Sequence, residues 1–356
     1  MTTATSARRL GRGATGVIAS AAVFFVLYGL LVSMSPVAGS PAIVSSFLTL
    51  ATPLAIAAAG TTLVLIVGGF DLSVAGTISL TNVISATAMA ANPDNAWLIA
   101  AGVLLLGTAI GAVNGVVIAA FGLPPLGVTL ATNIVLAGIA LTILPAPGGA
   151  VPLDFSSALT GSVGLLPVAL ILLLAVAGLW LVFCRTRTGL ATFAVGGDVT
   201  SSKLSGINVF RVQVTAYSLA GLLYGTAGLY FSALTGTGSP SSGTSFLLTA
   251  FAAAALGLVS FSGGRGSVIA AMFGACILTV IPKLLFAAGV ADFWVGALQG
   301  LVVLVALCIP WLMRSVAGLT NRNSAAAYPV RSHPPRSETA QSEPLVVAAF
   351  KKDTLS

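Results

Sequence analysis

The sequence predicts an all-α, polytopic integral membrane protein with about 8–10 transmembrane helices and possible re-entrant breaks. Of its 356 residues, 57% are hydrophobic and 6% are charged, and the mean hydropathy is +1.07. A soluble domain carries about 25% charged residues, because water must solvate its surface. The composition therefore excludes a soluble enzyme, a disordered protein and a nucleic-acid-binding protein, and it indicates a chain that lies mostly in the lipid bilayer.

Apolar stretches of about the 20 residues that a spanning helix needs recur along the chain. In order, they cover residues 16–34, 43–67, 72–91, 96–121, 126–144, 164–184, 212–232, 245–261, 267–289 and 293–313. The short breaks at 68–71, 122–125 and 262–266 fit either tight turns at the surface or re-entrant breaks buried in protein. The first stretch resembles the core of a signal peptide but exceeds its usual length of about 7–15 residues, so we expect a retained helix.

Basic residues lie outside the first half of the membrane region. The segment before residue 13 has three arginines, none follows until Arg185, and the loop 185–211 has four basic residues. Basic residues near span ends mark the cytoplasmic side. Alternating crossings then place both termini and the loop 185–211 in the cytoplasm.

Three segments follow from this charge pattern. We expect a cytoplasmic N-terminal segment at 1–15 and a transmembrane domain at 16–314. The remaining segment, 315–356, is rich in Ser, Pro and charge and is predicted to be a disordered cytoplasmic tail.

Reactive side chains are too few for most enzyme classes. The single histidine, His333, lies in the predicted tail, and Cys184, Cys276 and Cys308 lack metal-ligand spacing. This inventory excludes a zinc site and a Ser-His-Asp triad. The sequence also has no GxxxxGK[ST] phosphate loop. We therefore predict neither an enzyme nor a cofactor-binding chain.

A polar break separates the second and third apolar stretches, where Gly68, Gly69, Asp71 and Ser73 occur together. Glycine permits a sharp turn, and Asp71 or Ser73 can cap the helix that follows. An Asp in mid-membrane costs about 2.5–3.5 kcal/mol on insertion scales. Two interpretations stay open: helix capping at an inner turn, or a break that lines or gates a pore.

Uncharged polar residues flank the Pro124-Pro125 break on otherwise apolar helices. They are Asn114 upstream and Thr129 and Asn133 downstream. Such residues either form hydrogen bonds between helices or face a hydrophilic translocation path.

The loop 185–211 contains a helix signal, with Asp198 as the N-cap of a short helix over 199–205 and Gly206 as its stop. A compact amphipathic element of this kind suits docking onto a soluble partner, although an ordinary linker fits equally well. Further along the chain, the pair Gly263-Gly264 repeats the pattern of an apolar run, two glycines, a charge and a serine that is seen at Gly68-Gly69. This similarity indicates an internal repeat of the kind found in transporters, and it adds Gly263 and Gly264 to the candidates that line or gate the translocation path.

Four stretches, taken together, resemble the membrane subunit of the bacterial ABC importers for ribose, xylose, arabinose and galactose. In chain order they are TLVLIVGGFDLSVAG, GAVNGVVIAAFGLPPLGVTLAT, TRTGLATFAVGGDVTSSKLSGINVFRV and SFSGGRGSV, and the resemblance covers residues 45 to 310. The chain departs from the family at Ser201 and Ser202, where two alanines are frequent, and at 257–260, where a glycine pair is common.

The resemblance implies a permease subunit that carries a pentose or hexose across the inner membrane. Its expected partners are a second copy or a paralogue, a cytoplasmic ATPase that binds the ATP, and a periplasmic or lipid-anchored sugar-binding protein. The break at 68–73 would lie beside the translocation path. The element that couples to the ATPase would comprise Gly196, Gly197, Asp198, Lys203, Leu204, Ser205, Gly206 and Ile207.

Two other functions remain open. One is a stand-alone secondary transporter or channel, although proton-coupled carriers usually need acids or histidines in the membrane, and Asp71 is the only strong candidate here. The other is an ABC permease for branched-chain amino acids.

Overall fold

The computed structural model describes residues 3–164, 166–291 and 294–308, with side chains from residue 14 onward. These residues form helices α1 Thr3–Met34, α2 Pro41–Ile66, α3 Val74–Ala91, α4 Ala96–Phe121, α5 Pro125–Ile143, α6 Leu153–Thr160, α7 Val168–Arg185, α8 Arg187–Gly197, α9 Val199–Leu204, α10 Val209–Thr235, α11 Thr244–Leu256, α12 Val268–Ala287 and α13 Trp294–Cys308. Short 3₁₀ turns occur at Pro36–Gly39 and Pro93–Asn95, and an antiparallel hairpin pairs β1 Ser162–Val163 with β2 Leu166–Pro167.

The prediction of an all-α membrane protein is confirmed. In the described part of the chain, seven helices are long and apolar enough to cross a bilayer, namely α1 to α5, α7 and α12. The other three predicted stretches coincide with α10, α11 and α13. Helix α10 has 27 residues but carries several polar side chains, and α11 has only 13 residues. The predicted tail at 315–356 lies outside the described residues.

The central helix of the fold is α10, which packs against α2, α3 and α4. Its contact with α4 is made largely by glycines: a Cβ on Gly111 would overlap the carbonyl oxygen of Tyr217, and one on Gly221 would overlap that of Gly107. Small residues spaced four apart let membrane helices approach this closely. The Gly107-Gly111 spacing therefore determines how near α10 can lie to α4.

Two of the three predicted breaks contain a glycine pair; we call the one at Gly68-Gly69 the first break and the one at Gly263-Gly264 the second break. Helix α11 ends earlier than the apolar stretch 245–261 predicts, so the second break covers residues 257–267 rather than 262–266. The cause is a left-handed residue, Leu258, at φ +55°. The Val259 N–H then donates to the Ala254 carbonyl, five residues back, and so closes the helix as a Schellman motif does. An apolar run does not reveal this stop, because leucine rarely adopts that conformation.

The first break closes α2 in the same way. Gly68 has φ +85°, and the Gly69 N–H donates to the Val64 carbonyl. Leu258 is thus the structural counterpart of Gly68. The two breaks share a helix-ending motif in which glycine is replaced by leucine at the second one.

We expect Leu258→Gly to stabilise the protein by about 1 kcal/mol, because a left-handed conformation costs a non-glycine residue about 1–2 kcal/mol and Leu258 is partly exposed. The measurement is the thermal melting temperature of the detergent-solubilised protein. The reciprocal control, Gly68→Ala, should lower it. A lower melting temperature for Leu258→Gly would show that its side chain matters more than the backbone strain.

Candidate functional site

Asp71 lies in the first break and is only 1% exposed. Its Oδ1 accepts the backbone N–H of Ser73 at 2.9 Å and the Ser73 hydroxyl at 2.5 Å. The Ser73 side chain makes no capping bond of its own at the start of α3. Asp71 thus bonds the residue that precedes α3, and neither of the two capping residues named from the sequence bonds a free N–H group of the helix itself. The second carboxylate oxygen has no hydrogen-bond partner among the described residues.

Helices α4 and α5 complete a polar network around this break. The Asn114 amide donates to the Ser73 hydroxyl at 3.0 Å and accepts from the Thr132 hydroxyl at 2.6 Å. Asn114 is fully buried. Together these bonds link the break to both neighbouring helices.

Side chains from α5 also satisfy free backbone N–H groups near the start of α3. Thr129 Oγ1 accepts from the Leu72 N–H at 3.0 Å, and Asn133 Oδ1 accepts from the Gly76 N–H at 2.7 Å. The first N–H groups of a helix have no partner within the helix itself. The predicted polar residues thus meet at one place and stabilise a helix start, while a role beside the translocation path stays a prediction.

The predicted cytoplasmic loop contains two helices, α8 and α9. The predicted short helix is confirmed as α9, although it ends at Leu204 rather than residue 205. Asp198 caps it by accepting the N–H groups of Thr200 at 2.8 Å and Ser201 at 3.3 Å, and the Ser201 hydroxyl at 2.7 Å. These bonds, led by that of the Ser201 hydroxyl, lower the pKa of Asp198 below its usual range. Gly206 follows at φ +77°.

Sequence reasoning missed α8. Its signal is Thr186, whose hydroxyl oxygen accepts the Gly189 N–H at 3.0 Å as an N-cap. Val195 near the end of α8 is buried against Val67 and Val212, with Ile207 packed at the edge of the cluster. The loop is therefore seated on the membrane helices.

Helix α9 exposes one large apolar side chain among polar ones. Leu204 is 86% exposed, and Lys203 and Ser205 beside it are also exposed. A groove of about 410 Å³ lies next to α9, between Phe210 of α10 and Leu123 in the turn after α4. Leu204 and this groove therefore lie side by side on the exposed surface of the loop.

The glycines of the loop meet those of both breaks. The Gly264 N–H donates to the Ile66 carbonyl at the end of α2, at 2.8 Å. Gly196 lies against both of these groups, and Gly263 lies against Gly68. The structure thus brings the predicted loop and the predicted breaks into direct contact.

A polar segment at 236–243, between α10 and α11, was also missed. Gly238 in this segment forms an antiparallel β-bridge with Gly148. The segment then runs along α3, where the Ser239 N–H donates to Asn82 Oδ1 at 2.7 Å. Further on, the Gly243 N–H donates to Ser79 Oγ at 2.9 Å. Ser79 lies 12 residues, or about 18 Å of helix, from the end of α3. The segment therefore enters the membrane region. Its run of Gly, Ser, Thr and Pro is the sequence pattern that could have indicated an irregular segment here.

We expect Asp71→Asn to keep the melting temperature at or above that of the native protein, because Asn retains the acceptor oxygen for Ser73 and removes a buried charge. Asp71→Ala removes the acceptor and should cost about 1–3 kcal/mol. Melting temperature and solute uptake are measured for both variants. If Asp71→Asn loses uptake at normal stability, the carboxylate charge itself is required.

The sequence comparisons are consistent with this architecture. A family model described as "Branched-chain amino acid transport system / permease component" matches residues 43–307. The ribose import permease protein RbsC of Escherichia coli (strain K12) is 33% identical over 264 residues, covering 72% of this chain and 81% of the relative. The galactose/methyl galactoside import permease protein MglC of Haemophilus influenzae is 31% identical, covering 81% and 91%.

A third relative, the probable ABC transporter permease protein y4mJ of Sinorhizobium fredii, is 35% identical, covering 75% of this chain and 80% of the relative. No solved structure matches the chain significantly. The family model covers most of the chain, including both breaks and the cytoplasmic loop. The chain is therefore a member of this family of multi-pass membrane permease components.

Proposed function

We propose that this chain is the permease subunit of an ATP-binding-cassette importer that carries a monosaccharide across the bacterial inner membrane. The observation that carries the proposal is the extent of the matches to relatives named as ribose and galactose import permeases. These names favour a sugar over the branched-chain amino acids in the family description. Asp71 is the one buried charged side chain among the described residues, which gives little support to a proton-coupled carrier.

The energy source in this proposal is a separate cytoplasmic ATPase that docks on α8 and α9 and binds the ATP. The exposed Leu204 and the groove beside Phe210 support this docking site, because buried apolar side chains dominate interface energetics. The charge pattern supports a cytoplasmic location for this loop and for both termini. A sugar-binding protein on the other side and a second permease copy or paralogue complete the proposed assembly.

We expect Leu204→Asp to weaken ATPase binding by about tenfold or more, because it places a charge in an apolar contact. Folding should be unaffected, since Leu204 is almost fully exposed. Co-purification of the ATPase and sugar uptake are measured together. Leu204→Met is the control and should behave as the native protein. Normal ATPase binding by Leu204→Asp would place the docking site elsewhere.

The translocation path in this proposal passes the start of α11. Ser241, Thr244 and Ser245 are exposed at the point where the segment 236–243 meets this helix. Irregular backbone at membrane depth is tolerated only where it is buried in protein or lines a water-filled cavity. The hydroxyls also offer hydrogen bonds to a sugar, which distinguishes this surface from the apolar faces of α4 and α5.

Cysteines at Thr244 and Ser245 should react with a charged, water-soluble thiol reagent in the assembled transporter, and the transported sugar should slow the reaction. The three native cysteines are first replaced by alanine. A cysteine at Leu105, which is exposed on the apolar face of α4, serves as the lipid-facing control and should not react. Reaction at Leu105 without reaction at Thr244 or Ser245 would contradict this path.

A further inference from the structure

Three glycine pairs from distant parts of the sequence meet at one point. They are Gly68-Gly69 after α2, Gly196-Gly197 at the end of α8, and Gly263-Gly264 between α11 and α12. We call the contact among Gly68, Gly196, Gly263 and Gly264 the glycine junction. It joins the cytoplasmic loop to both membrane breaks.

Gly196 occupies the centre of the glycine junction. A Cβ there would overlap the carbonyl oxygen of Ile66 and would lie 2.7 Å from the backbone nitrogen of Gly264. These two groups are themselves hydrogen-bonded at 2.8 Å. Gly196 therefore touches the end of α2 and the second break at the same time, at the bond that holds them together.

The second break closes around Gly196 from the other side. A Cβ on Gly263 would overlap the Gly196 carbonyl oxygen and would lie 2.9 Å from the Gly68 Cα, and one on Gly264 would lie 2.8 Å from the Gly197 Cα. Gly263 and Gly264 have φ values of +82° and +70°. No side chain lies between the three segments at these contacts.

When two backbones are in direct contact, a displacement of one segment displaces the other by nearly the same amount. A side chain at an interface can change rotamer and absorb a shift, whereas glycine has no side chain to adjust. The buried Val195 next to Gly196 packs against Val67 beside Gly68 and so reinforces the contact. A movement of α8 therefore displaces α2 and the second break together.

We propose that the glycine junction is the mechanical link that passes ATPase movement to both membrane breaks at once, with Gly196 as its positioning residue. The proposal rests on the docking of the ATPase at α8 and α9 given above. The two breaks then open and close in one step, because neither can move past Gly196 without moving the other. Gly196 acts through the breaks and makes no contact with the sugar.

The chain supplies a matched pair of substitutions. Gly196→Ala inserts a methyl group into the glycine junction, whereas Gly178→Ala, on the exposed face of α7 and outside the coupling element, places it in open space. Both variants are reconstituted with the ATPase and the sugar-binding protein, and ATPase binding, ATP hydrolysis and sugar uptake are measured. Gly178→Ala should stay within about twofold of the native protein in all three.

Gly196→Ala should retain ATPase binding and hydrolysis, while the number of sugars taken up per ATP hydrolysed falls by about tenfold, a change within the range reported for residues that couple two sites. An unchanged ratio in Gly196→Ala would overturn the proposal. Equal losses in both variants would also overturn it, because the contacts of Gly196 would then be irrelevant.

A measurement on the native complex tests the proposal even if the Gly196→Ala variant misfolds. Hydrogen exchange is followed in peptides covering 64–70, 193–206 and 260–267, with and without ATP and the ATPase. ATP should change exchange in all three peptides together, including the Gly264 amide. A change in exchange confined to 193–206 would contradict the role of the glycine junction but not the docking site. Unchanged exchange in 193–206 would contradict both the docking site and the role of the junction.

Discussion

Glycine allows α10 to approach its neighbours closely, and this approach positions the rest of the membrane region. Lipid provides no hydrophobic force between helices, so close packing must hold them together. With α10 pressed against α4 at Gly111 and Gly221, its tyrosines reach the helices on the other side. Tyr217 donates to the carbonyl oxygen of Phe70 at 3.2 Å in the first break. The position of that break therefore depends on a glycine contact one helix away.

The two breaks differ in the groups that accept hydrogen bonds from their free backbone N–H groups. Free backbone N–H groups near the first break bond to side chains, including Asp71, Thr129 and Asn133. The second break relies on the backbone: Ser260 and Gly264 donate to the carbonyls of Arg265 and Ile66. The first break is consequently anchored within a polar network, while the second depends on its contact with α2. The two breaks thus share the motif that ends the helix, but not the bonds that follow it.

The sequence predicted what composition and local chemistry control. Apolar length located the helices, the proline pair separated α4 from α5, and Asp198 and Gly206 marked the ends of α9. It did not predict the stop at Leu258, because that stop is a backbone conformation that leucine rarely adopts. Nor did it predict that Gly68, Gly196 and Gly263 meet, since contacts between distant glycines depend on the tertiary fold.

The short length of α11 has a consequence for how the chain enters the membrane. Its 13 residues span about 20 Å, whereas the hydrocarbon core is about 30 Å thick. The insertion machinery thus receives a segment too short to be stable as an independent span. Helix α12 packs against α11 and supplies the missing apolar surface. We therefore expect α11 and α12 to enter the bilayer together, as one packed unit, rather than as two independent spans.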